Sequence, residues 1–169
     1  MKQRVAWEEG MAKGAAMAAW RLPHSAEAFL LQDFSGGSKL AEGWNLGDLS
    51  AGFLAAPFIG LPYFLRADSV ISIAMDGSAS THLPEPPAEN AAKKAEFMSW
   101  VSEAIAAIKQ GPLQKVVLSR TDEQELPADF DVMTALEELG AAYPNAFVCA
   151  LYIPALSSVW MCATPEILV

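Results

Sequence analysis

The apolar positions of this chain change period roughly halfway along it. Up to residue 75 they come in short runs cut by glycine and proline, the pattern of strands joined by turns. After a polar N-terminal stretch that suits a short helix over 3–14, "AAMAAWRLP" (15–23) reads as a strand or a helix end stopped by Pro23. "AEAFLLQDFSGG" (26–37) reads as a strand closed by a Ser-Gly-Gly turn. Further strands are expected over 51–55, 62–66 and 70–75, separated at Pro57, Gly60 and Pro62. The break comes at "LPEPPAEN" (83–90), whose prolines fit neither a helix interior nor a central strand.

Beyond the break, Ala92, Phe97, Val101, Ile105 and Ile108 share one helical face, with Lys93, Lys94, Glu96, Ser99 and Glu103 mostly off it. Gly111-Pro112 ends that helix. "LQKVVLSRT" (113–121) alternates as a strand, and a second helix is expected over 131–142, with Asp129 or Asp131 as its N-cap. "AFVCALYI" (146–153) and "SSVWMCAT" (157–164) close as a hairpin. A turn centred on Ala155-Leu156 sets Cys149 opposite Cys162. The order of elements predicts an α+β fold, a largely antiparallel sheet with two main helices. One domain over 1–169 is expected, with an internal break near 83–90.

Composition adds one tension. The chain is 53% hydrophobic and 18% charged, against about 25% charged in ordinary globular domains. Either part of its exterior is covered in the working protein, or the sequence is alanine-rich with a small apolar surplus. The net charge of −9 argues against binding nucleic acid or an anionic membrane, both of which need a basic face. No apolar stretch approaches the roughly 20 residues of a membrane span, and the N-terminus has no secretory apolar core. A cytoplasmic protein is expected. The two cysteines make no disulfide framework. They read as a redox pair or as two small buried apolar residues, and the reduced state of cytosolic thiols favours the second.

Several chemistries lack their signatures. Neither a Walker A motif nor G-x-G-x-x-G is present. His24 follows Pro23 and His82 precedes Pro84, both in expected solvated loops, and with two cysteines they do not easily assemble a four-ligand zinc site. Ser119 has no Gly-x-Ser-x-Gly elbow. Two polar residues remain. Lys115 shares a strand face with Val117 and Ser119; it either faces water from an edge strand or, over a desolvated cleft, serves as a general base. Glu166 follows Pro165 just past the last strand, as a solvated loop carboxylate or as a general acid held protonated by an apolar pocket.

"KVVLSR" (115–120) and "ATPEILV" (163–169), separated by a helix and a hairpin, resemble the chorismate-utilising enzymes, and most nearly the isochorismate synthases of menaquinone and siderophore biosynthesis. "AAWRLP" (18–23), "DFS" (33–35) and "AGFLAAPF" (51–58) agree more weakly. The resemblance implies the N-terminal half of that fold. It implies a magnesium-dependent reaction in which water adds at C2 of chorismate and the C4 hydroxyl is expelled. It gives Lys115 the activation of water and Glu166 the protonation of the leaving hydroxyl, and the spacing of the two agrees with the family's. Ammonia-using members usually carry Gln where this chain has Lys115, so the lysine points to isochorismate, or to salicylate formed through it.

Two departures accompany the resemblance. Cys162 stands where the family commonly has Gly. Family members also run to more than twice this length, and the segments bearing the magnesium-ligating glutamates and the substrate-holding arginine are absent. The expectation is therefore a fragment inactive alone, partnered by a missing C-terminal half or by self-association through an exposed apolar face. The rival is a non-catalytic α+β module that binds a partner, with Lys115 and Glu166 dispensable.

Overall fold

The computed structural model describes residues 2–75, 90–121, 123 and 125–164. The chain divides into two compact units, one taking in Met1–Leu83 and Asp129–Val169, the other Pro84–Ala128.

The larger unit is a sheet with helices on one face and a smaller sheet on the other. Its elements are α1 (Lys2–Ala12), β1 (Ala16–Arg21), β2 (Glu27–Asp33), β3 (Ser38–Lys39), β4 (Gly52–Ala55), β5 (Tyr63–Arg66) and β6 (Ser69–Ala74). After the intervening unit, whose helix is α2 (Ala91–Gln110), come α3 (Val132–Ala142), β7 (Phe147–Ile153) and β8 (Ser158–Thr164). Five strands form one sheet in the order β6-β2-β1-β7-β8, and three form the other in the order β3-β5-β4; every pairing is antiparallel. The fold is α+β, as the pattern predicted.

Strand alternation sorts the core into two layers. Met17, Ala19, Ala28, Leu30, Val148 and Ala150 face α1 and α3 and pack with Trp7, Met133 and Leu136. The intervening positions Ala16, Ala18 and Leu31, with Ile153, pack with Leu65 of the small sheet. Both faces of the central strands are covered, which is why β1 reads as a continuous apolar run rather than an alternating one. Trp20 carries the second layer outward, its ring centroid 5.6 Å from those of both Phe29 and Phe53.

Helix starts follow local chemistry. Asp131 caps α3, its side chain accepting from the Thr134 amide at 2.7 Å, and Arg4 of α1 reaches the same carboxylate at 3.2 Å. In the smaller unit Asn90 caps α2 through the amides of Ala92 and Lys93. Phe97, Val101 and Ile108 are half-buried on the expected face, while Ile105 is exposed. The helix stops at Gln110 as expected, although Gly111 is extended rather than left-handed.

One expected element does not form. Residues 113–121 are not a strand, and among the described residues no strand pairs with them. Alternation supplies a strand with a face to bury, but a strand persists only with a ladder neighbour and a surface beneath it. Val117 instead lies 81% exposed. The break at 83–90 lies almost wholly outside the described residues. No described helix is long and apolar enough to cross a membrane.

Candidate functional site

The β7–β8 hairpin carries the most developed side-chain constellation of the larger unit. Ile153 pairs with Ser158 across a short helical turn at Pro154–Leu156, and Ser157 takes a left-handed conformation (φ 50°) to re-enter the ladder. That register sets Cys149 directly opposite Cys162, as expected, with the sulfurs 3.3 Å apart. Burial, followed by the hydrogen bond to Cys162, pushes the Cys149 thiol up to about 12. Cys162 is exposed on the edge strand.

Both thiols open into a cavity of about 500 Å³, walled by Phe53 and Tyr63 of the small sheet and by Leu151 and Trp160 of the hairpin. The cavity was not foreseen as a site. The same register arithmetic that paired the cysteines places Leu151 opposite Trp160 on their face. What the sequence did not show is that β4 and β5 lie against that face. Among the described residues no lysine or arginine lines the cavity, so it suits an apolar or aromatic group and offers a dianion no counter-charge.

The Asp33-Phe34-Ser35 turn joins the two sheets. Asp33 is buried and accepts from the Ser35 amide, the Ser35 hydroxyl and the Arg66 amide at the end of β5. Asp68 accepts from the Phe34 amide at 3.0 Å and from Arg66 Nε at 2.6 Å. The Arg66 hydrogen bond outweighs partial desolvation and holds the Asp68 carboxyl below its usual value. These carboxylates are already engaged in fixing the turn.

Lys115 lies in the smaller unit, in the irregular segment after α2, with its side chain exposed. Glu166 and His82 fall outside the described residues. His24 is exposed in the turn after β1, at φ 59°. Among the described residues no three His, Cys, Asp or Glu side chains converge to hold a metal ion; they do not fit a magnesium site.

The family model described as chorismate binding enzyme matches residues 68–169, more than half of the chain and a stretch that includes both Lys115 and Glu166. Comparison with curated proteins and with solved structures returns no significant match.

Proposed function

Since the chain belongs to the chorismate binding enzyme family, we propose that it serves the conversion of chorismate to isochorismate, with Lys115 as general base and Glu166 as general acid. The observation that carries this reading is the identity of residue 115. A neutral lysine amine takes a proton from water as the oxygen bonds to C2 of the ring. The ring double bonds shift, the C4–O bond breaks, and Glu166 delivers the proton with which the hydroxyl leaves as water. Water is a poor nucleophile and hydroxide a poor leaving group, so the step needs both groups, on opposite sides of the ring. The apolar cavity of the larger unit is not the proposed site, because it offers nothing to balance two carboxylates. Family members use magnesium. Since the described residues do not fit the ion, the proposed proton transfers rest on Lys115 and Glu166 alone.

The test is turnover of chorismate, with magnesium present, by the protein of the complete reading frame. Isochorismate is followed by chromatography, with salicylate and pyruvate measured alongside. Isochorismate without pyruvate is expected, and Lys115→Gln and Glu166→Gln should each lower kcat by about 100-fold or more. Pyruvate release would assign salicylate formation instead. Full activity in both variants would overturn the roles given to these residues, and no turnover at all would favour a non-catalytic interaction module.

A further inference from the structure

The paired thiols of the hairpin have no part in the acid–base reading, and their geometry is specific. Cys149 and Cys162 occupy facing positions of one antiparallel ladder, and their sulfurs touch at 3.3 Å. Facing residues of such a ladder have Cα atoms roughly 4.5–5.5 Å apart, inside the range a disulfide spans. A bond between them is therefore within reach of side-chain rotation. The two sulfurs are also unequal. Cys162 is exposed on edge strand β8, open to a solute, whereas Cys149 is half-buried one strand further in. They are the only cysteines of these 169 residues, so within them neither has an alternative partner.

We propose that Cys149 and Cys162 form a peroxide-responsive dithiol–disulfide site, in which Cys162 meets the oxidant and Cys149 resolves it. The Cys162 thiolate attacks one oxygen of hydrogen peroxide; the O–O bond breaks and the departing hydroxide takes a proton to leave as water. Cys162 is then a sulfenic acid. The Cys149 sulfur attacks the Cys162 sulfur, the S–O bond breaks, and the proton of the Cys149 thiol leaves with the hydroxide as a second water. Two thiols have lost two electrons and one peroxide has become two waters. A small dithiol reverses the bond by exchange. A thiol held neutral reacts poorly with a dilute solute, which sets Cys149 apart from the first step; in the second step its contact with the Cys162 sulfur at 3.3 Å supplies the proximity that offsets this. The product ties edge strand β8 to β7 across the wall of the apolar cavity. The proposal is independent of the acid–base reading of Lys115 and Glu166.

The test treats the reduced 169-residue protein at pH 7.5 with stepwise hydrogen peroxide, quenches with N-ethylmaleimide, and reads intact mass and peptide maps. The expected product is a monomer lighter by two hydrogens, with 149 linked to 162, returned to the starting mass by dithiothreitol. Cys149→Ser should stop at a dimedone-reactive sulfenic acid on residue 162. Cys162→Ser should leave Cys149 reacting at least about tenfold more slowly than Cys162 does in the first variant. A wild-type protein whose two thiols both remain alkylatable would overturn the proposal, as would one cross-linked only between chains. The wild-type readout needs no variant to fold. Equal rates in the two single variants would overturn the assignment of roles.

Discussion

Arg21 is 3% exposed and has no carboxylate partner among the described residues. Its guanidinium donates instead to the carbonyls of Leu22, Pro144, Tyr143 and Ala146. Three of these belong to the turn that follows α3, so the fixed charge sits at the carbonyl end of that helix, where its dipole favours a cation. Gly140 permits the approach: a Cβ there would lie 3.0 Å from Arg21 Nε. The planar fork matters, because a lysine cannot reach four carbonyls from one fixed plane. Arg21→Met is expected to lower stability by about 2–4 kcal/mol, since buried carbonyls would lose their donors. Urea denaturation compares the variant with wild type, and a loss under about 0.5 kcal/mol, the scatter of ordinary surface substitutions, would contradict the account. None of this was legible in "AAWRLP". Composition marks an arginine as a surface residue, and three of its four carbonyl partners lie more than 120 positions away in sequence. The Asp33-Phe34-Ser35 turn was legible as a motif, but its work of joining β2 to β5 was not, because Arg66 is remote in sequence.

At the scale of elements, the small sheet depends on close backbone approach. Gly52 pairs with Arg66, and a Cβ at Gly52 would run into the Leu65 carbonyl oxygen and the Phe64 ring. Gly52→Ala should therefore open the start of the β4–β5 ladder and cost about 2 kcal/mol or more. It should also loosen Phe53, which walls the cavity. Thermal denaturation followed by circular dichroism reads the first effect. An unchanged midpoint would show that the small sheet adds nothing to cooperative stability. Most strands of this unit were legible to within a residue or two because turns punctuate them and burial makes them apolar; β4 at Gly52–Ala55 and β6 at Ser69–Ala74 are cases in point, whereas the two-residue β3 was not foreseen and 15–23 reads as a strand or a helix end. The stretch 113–121 misled for the complementary reason. Its alternation is as good as theirs, but whether a partner strand exists is not a property of the segment.

For the whole molecule, the shortage of charged surface reappears as exposed apolar side chains. Phe58 and Ile59 at the tip between β4 and β5 are 103% and 86% exposed, and Trp160 on edge strand β8 is 63% exposed. Among the described residues β6 and β8 are the edge strands of the large sheet, the positions where a sheet meets another chain most readily. The chain is expected to self-associate as its concentration rises. Salt should strengthen the association, by screening the mutual repulsion of molecules carrying −9 each. Sedimentation velocity across a concentration series checks this, and Trp160→Lys should shift the series toward monomer. A constant monomer mass at high concentration and high salt would refute it. The composition left two accounts of its charge shortage open, and which residues bear exposed apolar surface depended on the fold.

The place of β1 in the large sheet has a consequence for synthesis. It lies between β2 and β7, and β7 is encoded near the far end of the chain. At about 5–20 residues per second, the ribosome finishes β7 on the order of ten seconds after β1 emerges. Throughout that interval the hairpin of β1 and β2 stands with its most apolar strand unpaired on one side. The later-made hairpin of β7 and β8 therefore completes the earlier-made one of β1 and β2. A ribosome that stalls before residue 147 displays an adhesive strand with no native neighbour to take it up, and the nascent chain has to be shielded for as long as the stall lasts.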